Sequence, residues 1–263
     1  MMGACDDRRQ ARANALTRGA TIPVAAGSSS APGLWRIVRI VVIILIVVIL
    51  LPYVITPFYR FINPVSTLML WRWATGARVE HTWVPLARIA PALPLAVISS
   101  EDGGFCRHHG IDFGELRDVL REIDDLNDLA EVRGGSTITQ QVAKNLFLWQ
   151  GRSFVRKALE FPLALWIDAV LGKRRVMEIY LNIVEWGPNG EFGAEAAARH
   201  AYNKPAHDLS AREAAQLAAT LPNPHRRDAH APTAELRRLA GIYQGRMAKS
   251  PDHDACVRVR RGP

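Results

Sequence analysis

The hydrophobic pattern divides the chain into one long apolar segment near the N-terminus and a series of shorter amphipathic segments. The twelve residues from Ile40 to Leu51 are all Ile, Val or Leu, and apolar residues continue as far as Phe58. Together with the apolar residues just before it, this run approaches the ~20 residues that a helix needs to cross a bilayer. A buried core helix is the alternative, which an unbroken aliphatic run of this length disfavours. We therefore predict a transmembrane anchor over residues 34–58.

A cleaved signal peptide is a second alternative for this segment, but the apolar run starts late and no small-residue cleavage site follows it. Residues 1–33 are basic, rich in Gly, Ser, Ala and Pro, and lack an apolar period, so we predict a disordered tail. Arg36 and Arg39 mark the N-terminal flank of the anchor. Because positive charge favours the cytoplasmic side, we predict a cytoplasmic tail and a domain outside the cytoplasm.

Beyond a membrane-proximal segment over residues 59–84, helix signals dominate and no alternating strand pattern of useful length appears. Capping boxes predict helix starts at Asp112, Thr137 and Ser210. Further helices are predicted over 86–100 with proline interruptions, 153–171, 174–184 and 191–200. The predicted fold class is all-α, with a domain over 85–244, a mobile loop over 122–133 and a basic flexible tail over 245–263. Trp71, Trp73 and Trp83 fit interfacial aromatics and ordinary core residues equally.

The charge of the chain indicates which partners it binds, and its cysteines and histidines bear on disulfide and metal sites. The net charge of +8 lies partly in the tails and suits an anionic membrane surface. No nucleic-acid motif accompanies it, so nucleic acid is not an expected partner. Cys106 and Cys256 are the cysteines predicted to lie outside the cytoplasm. Pairing is open to them, but Cys256 lies in a poorly patterned tail, so we predict free thiols. No Cys/His spacing indicates a metal site.

Two adjacent carboxylates, Glu101 and Asp102, fall where a predicted helix gives way to a double glycine. Acids at the C-terminal end of a helix oppose its dipole, which raises their pKa. A carboxyl group with a raised pKa suits general acid–base chemistry, and we assign that role to Glu101. For Asp102 and His108 the preferred interpretation is that they tie down a turn.

A second set of polar residues indicates an anion site. A glycine-led loop runs into the helix predicted to start at Thr137, which carries Gln140, Gln141, Lys144 and Asn145. A helix N-terminus with a lysine suits a phosphate group, although the nucleotide-binding P-loop pattern is absent. Arg152, Arg156 and Glu160 follow at intervals of four and continue into an apolar helix. The alternative is a solvated ladder, in which these side chains form i, i+4 ion pairs on a solvent-exposed helix face. If the cations are instead shielded from solvent near Lys144, they strengthen an anion site.

These segments resemble the four signatures of the peptidoglycan glycosyltransferases, glycosyltransferase family 51, over roughly residues 85–225. The matching residues are Glu101, Asp102, Phe105, His108, Gly110 and Asp112 in the first signature, 135–141 with Lys144 and Asn145 in the second, Arg156, Lys157 and Glu160 in the third, and Lys173 with 180–182 in the fourth. Cys106 is unusual for the first signature. The chain does not contain the transpeptidase motif S-x-x-K followed by K-T-G. The resemblance is therefore to the monofunctional members of the family, which lack a transpeptidase domain.

The resemblance implies a lysozyme-like, two-lobed helical domain behind a single transmembrane helix in the bacterial inner membrane, with the catalytic domain in the periplasm. It implies polymerisation of lipid II into glycan strands for cell wall synthesis, with inversion and release of undecaprenyl diphosphate. Lipid II, the lipid-linked glycan chain, the membrane and other cell-wall synthesis and division proteins are the implied partners. No obligate cofactor is implied, and a divalent cation at the pyrophosphate stays open.

The resemblance also implies roles for individual residues. Glu101 is the expected general base, and Glu160 is expected to orient cations or to assist at the acceptor. The expected substrate-binding residues are Lys144, Arg152, Arg156, Arg117, Ser136, Thr137, Gln140, Gln141 and Asn145. The expected supporting residues are Asp102, Phe105, His108, Asp112 and Lys157. The cation cluster argues against a lytic transglycosylase or lysozyme-like hydrolase. The presence of Glu101 and Lys144 argues against a non-catalytic wall-binding protein.

Overall fold

The computed structural model describes residues 32–121, 135–151 and 153–258, and this part of the chain is mostly helical, which confirms the all-α class. The helices are α1 (Pro32–Ile55), α2 (Thr67–Ala74), α3 (Ala92–Glu101), α4 (Phe113–Arg121), α5 (Ile138–Phe147), α6 (Phe154–Ile183), α7 (Ala194–Tyr202), α8 (Ala211–Ala218) and α9 (Ala234–Lys249). Short 3₁₀ turns occupy Thr56–Arg60, Leu86–Arg88 and Ala206–Asp208. Two-residue strands β1 (Glu80–His81) and β2 (Glu191–Phe192) pair in parallel.

Helix α1 has the length and composition of a membrane span. Its 24 residues rise about 36 Å at ~1.5 Å per residue, enough to cross a hydrocarbon layer of ~30 Å. The segment Gly33–Arg60 reaches a mean hydropathy of 3.1, and its apolar side chains from Leu34 to Leu51 are exposed. Exposed aliphatic side chains are not those of a core helix, so that alternative is disfavoured.

Helix α3 forms the centre of the domain core and ends at the first predicted catalytic carboxylate. Leu93, Ala96 and Val97 are fully buried, and the helix packs against α8 and α9. The helix predicted over 86–100 begins only at Ala92. Pro94 is compatible with its first turn, because the N–H group missing from a proline has no helical partner there.

The predicted capping residues begin their helices as expected. Thr137 forms a full capping box at α5, and Ser210 does the same at α8. Asp112 accepts hydrogen bonds from the backbone N–H groups at the start of α4. The two helices predicted on either side of residue 172 are the two segments of α6, which is broken by the non-helical backbone of Gly172. Its φ of +73° is a conformation that glycine adopts without steric cost.

The folded domain extends beyond the predicted limits at both ends. Met69 is fully buried and β1 pairs with β2, so residues before 85 belong to the domain. At the other end, α9 runs through residue 244 to Lys249, and Cys256 forms a disulfide with Cys106. The predictions of free thiols and of a flexible tail are therefore wrong for the described residues up to 258. The pairing joins positions 150 residues apart, which local patterning does not reveal.

The membrane-proximal tryptophans differ in exposure. Trp71 and Trp73 on α2 are exposed, as interfacial aromatics are. Trp83 is half-buried beneath the guanidinium group of Arg175. The loop predicted over 122–133, residues 1–31 of the tail predicted over 1–33 and Arg152 lie outside the described residues, whereas Pro32 and Gly33 belong to α1.

Candidate active site

Glu101 lies at the C-terminal end of α3 and faces α5. The side-chain amide of Gln141 donates a hydrogen bond from Nε2 to Glu101 Oε2 at 3.0 Å. Burial raises the pKa of Glu101, while the Gln141 hydrogen bond and the charge of Lys144 oppose that rise. The raised pKa was expected from the position at the helix end, but loss of solvent is the main cause. A carboxylate of this kind accepts a proton more readily than an exposed one.

The side-chain amide of Gln141 also accepts a hydrogen bond on the side away from Glu101. Tyr180, on α6, is fully buried and donates its phenolic O–H to Gln141 Oε1 at 3.0 Å. Burial raises the pKa of Tyr180 well above its usual range, with smaller contributions from the charges of Glu101 and Asp102. Tyr180, Gln141 and Glu101 therefore form a continuous hydrogen-bonded chain from the core to the site.

Asp102 forms hydrogen bonds that connect α3, the loop after it and α5. Its carboxylate lies 2.9 and 3.0 Å from His108 Nε2 and accepts the backbone N–H of Ile138 at 2.9 Å. The side chain is buried, and its contacts connect the end of α3 to the first residue of α5. Phe105, fully buried in the same loop, lies beneath the Lys173 ammonium group at 4.6 Å. These contacts support the interpretation that Asp102 and His108 tie down the turn.

A second group of charges lies at the start of α6, around the buried carboxylate of Glu160. Lys157 Nζ is 3.3 Å from Glu160 Oε2 and donates to Ser136 Oγ at 2.6 Å. Arg156 forms an ion pair with the same carboxylate, of which only 3% is exposed. The solvated-ladder interpretation is therefore wrong for Arg156 and Glu160, because their charges are shielded by the protein.

The cations of the two groups act on one another. Burial lowers the pKa of Lys144, and the neighbouring charge of Arg156 lowers it further. Burial also lowers the pKa of Lys157 to about 8, with added contributions from Arg156 and Lys144. Like charges held together out of solvent are relieved by an anionic ligand, so the arrangement fits a phosphate-bearing substrate.

The other residues predicted from α5 have structural contacts. Thr137 accepts the Gln140 backbone N–H and donates its hydroxyl to the Gly110 carbonyl at 2.6 Å. Gln140 Oε1 accepts the Thr137 backbone N–H at 3.0 Å, and Asn145 Oδ1 accepts from Gln150 Nε2 at 3.5 Å. Gln141 and Lys144 are therefore the α5 side chains that act on Glu101. A substrate contact by Thr137, Gln140 or Asn145 stays a prediction.

The remaining three residues are arginines. Arg117 is exposed on α4, and Arg152 lies outside the described residues, so substrate contacts by either stay predictions. Arg227, which sequence reasoning did not single out, is close enough for its charge to lower the pKa of Glu101. It lies between α8 and α9, outside the motifs, and only the packing of these helices against α3 brings it to the site.

A partly buried carboxylate near shielded cations, on a helical domain, fits an enzyme that acts on an anionic substrate. A family model described as transglycosylase matches residues 69–248. A biosynthetic peptidoglycan transglycosylase of Rhodopseudomonas palustris (strain TIE-1) is 57% identical over 233 residues, covering 89% of this chain and 97% of the relative. A protein with the same description from Nitrobacter hamburgensis is 56% identical over 227 residues, covering 86% and 99%. The chain belongs to the transglycosylase family.

A more distant relative supports the same assignment. The biosynthetic peptidoglycan transglycosylase of Brucella suis biovar 1 is 52% identical over 198 residues, which is 75% of this chain and 87% of the relative. The family match begins at residue 69, where Met69 is buried in the core. The matched region and the packed domain therefore agree that the domain begins before residue 85.

Proposed function

We propose that this chain, a membrane-associated peptidoglycan glycosyltransferase, polymerises lipid II into glycan strands with inversion at the anomeric carbon. The observation that carries the proposal is the partly buried Glu101, oriented by Gln141 beside Lys144, whose charge in turn acts with that of Arg156 on Lys157. A base for the attacking hydroxyl and an electrostatic site for a diphosphate leaving group are the two requirements of this reaction.

Glu101 acts as the general base in this proposal. Its carboxylate removes the proton from the 4-hydroxyl group of the acceptor, lipid II. The freed oxygen attacks the anomeric carbon of the donor, which is a growing glycan chain on a lipid diphosphate. A new glycosidic bond forms as the bond to the diphosphate breaks, and undecaprenyl diphosphate leaves with the electron pair. The raised pKa of Glu101 strengthens it as a base, and Lys144 keeps its ionised form accessible.

Preorganised cations stabilise the charge that develops on the leaving group. Lys144, Arg156 and Lys157 are held in place before substrate binds, so little reorganisation accompanies the reaction. Glu160 orients Arg156 and Lys157 through its ion pairs. We also assign Arg152 and Arg117 to diphosphate binding on their positions in sequence. A diphosphate leaves readily, so no separate strong acid is required.

The proposal includes no resident metal. In the part of the chain that the structure describes, no three His, Cys, Asp or Glu residues are grouped as metal ligands. We propose that a divalent cation at the diphosphate would enter with the substrate and be held by its phosphate oxygens. Polymerisation measured with chelator and with added Mg²⁺ tests this assignment.

We place the N-terminus in the cytoplasm and the catalytic domain in the periplasm, anchored in the bacterial inner membrane by α1. The support is the length of the apolar helix and the arginine-rich flank before it. Labelling of Cys5 in spheroplasts by a membrane-impermeant maleimide tests the orientation, with reaction expected only after the membrane is disrupted. Contacts with other wall-synthesis and division proteins stay a prediction.

Polymerisation of labelled lipid II by the full-length protein in detergent tests the reaction itself. We expect long glycan strands together with release of undecaprenyl diphosphate, one for each glycosidic bond formed. Preformed glycan strands are the second substrate in the same experiment, and we expect them to stay intact. Cleavage of those strands without polymerisation of lipid II would contradict the proposal and support the hydrolase alternative.

A further inference from the structure

Tyr180 contacts the catalytic apparatus without facing the site. Its side chain is fully buried on α6, and its hydroxyl group lies 3.0 Å from Gln141 Oε1. The opposite end of the same amide, Gln141 Nε2, lies 3.0 Å from Glu101 Oε2. A buried polar group at this position requires a hydrogen-bonding reason, because burial of an unpaired hydroxyl is costly.

The chemistry of the three groups fixes the direction of the hydrogen bonds. An ionised carboxylate only accepts, so Gln141 has to present its NH₂ group to Glu101. The carbonyl oxygen of Gln141 then faces Tyr180 and needs a donor. Tyr180 supplies one, because it stays protonated throughout the working pH range, its pKa being raised well above the usual value by burial.

We propose that Tyr180 is a positioning residue, which holds the Gln141 amide in the orientation that donates to Glu101. The proposal rests on the proposed function of Glu101 as a general base. Without the phenolic donor, the carbonyl oxygen of Gln141 loses its partner, and only the contact with Glu101 still favours the orientation that donates to it. In the reversed orientation its carbonyl oxygen would face the Glu101 carboxylate, which disfavours the ionised base.

Tyr180→Phe tests this proposal because it removes one oxygen atom and keeps the aromatic ring in the core. We expect kcat to fall roughly three- to tenfold near neutral pH, the equivalent of one net hydrogen bond. We also expect the acid limb of the pH profile to move to higher pH, because the pKa of Glu101 rises when the Gln141 hydrogen bond is weakened. Activity should therefore recover as the pH is raised.

Tyr202→Phe is the matched control. Tyr202 donates to the Glu213 carbonyl on α8 at 3.3 Å, away from Glu101, so its removal should leave the acid limb in place. A purely structural role of Tyr180 would lower kcat equally at every pH. The proposal is overturned if Tyr180→Phe leaves the acid limb where it is in the unaltered protein.

A double-mutant cycle and a direct titration complete the test. In a Gln141→Met background, Tyr180→Phe should move the acid limb no further, because the amide that it orients is absent. Carboxyl-carbon NMR should show the Glu101 resonance, assigned by its loss in Glu101→Gln, titrating at higher pH in Tyr180→Phe. An unshifted resonance overturns the positioning role. A shifted resonance, with Glu101→Gln fully active, would instead show that the proposed function is wrong.

Discussion

Breaking the disulfide between Cys106 and Cys256 should destabilise the domain without dismantling its core. The bond connects the loop that follows Glu101 to the segment after α9, and Cys256 also donates its backbone N–H to Cys106 Sγ at 3.3 Å. Near this linkage Val257 is buried, so the C-terminal segment is packed as well as linked. Cys256→Ser removes the covalent link and leaves α3, α8 and α9 in contact.

The size of the effect follows from the length of the loop that the bond closes. For positions 150 residues apart, the chain-entropy relation gives a ceiling of about 5 kcal/mol at ~25 °C. Measured disulfides typically contribute about 2–4 kcal/mol, because the unfolded chain retains structure. A loss of this size lowers the Tm of a domain of this length by roughly 5–15 °C.

Thermal unfolding of the full-length protein in detergent, followed by far-UV circular dichroism, measures the change. Cys5→Ser is the matched control, since it removes a cysteine that takes no part in the bond, and it should leave the Tm unaltered. Reductant should lower the Tm of the unaltered protein toward that of Cys256→Ser. Equal Tm values for Cys256→Ser and the unaltered protein would refute this reasoning. Three free thiols in the unaltered protein without reductant would also refute it.

Three further substitutions test the charges of the site. Lys144→Met should lower kcat for strand growth by about 100- to 1,000-fold in the polymerisation assay, because a preorganised cation is lost beside Glu101; a loss below threefold would contradict its role. Asp102→Asn should lower the free energy of unfolding by about 1.5–3 kcal/mol, seen in thermal unfolding, as its contacts with His108 weaken; unchanged stability would contradict the structural assignment. Lys157, with a pKa of about 8, should lose its charge as the pH rises through that value, so KM should rise there, and Lys157→Arg should remove this limb. The folded pKa lies below the unfolded one, so this lysine's contribution to stability should increase over the same rise in pH.

The parts of the fold that the sequence predicts well are those determined by neighbours along the chain. Thr137 and Ser210 begin their helices as expected, since a cap satisfies N–H groups within three residues of itself. The break at Gly172 is also local, because glycine readily adopts the positive φ that separates the two predicted helical segments of α6.

The site depends on contacts between segments that are distant in sequence, and local sequence patterns do not predict those contacts. Tyr180 was part of a recognised signature, yet its role becomes apparent only when α6 packs against α5. Spacing alone did not establish the burial of Glu160, which excludes the solvated ladder. The disulfide of Cys106 arises from the packing of α9 on α3, which the sequence pattern does not encode locally.

The most direct test of the central claim compares Glu101→Gln with the unaltered protein in strand growth and in lipid II binding. The substitution keeps the size of the side chain and removes its ability to accept a proton. Glu80→Gln, which alters an exposed carboxylate on β1, is the matched control and should polymerise normally. We predict that Glu101→Gln binds lipid II but produces almost no glycan strands. Strand growth at the unaltered rate in Glu101→Gln would contradict the assignment of Glu101 as the general base.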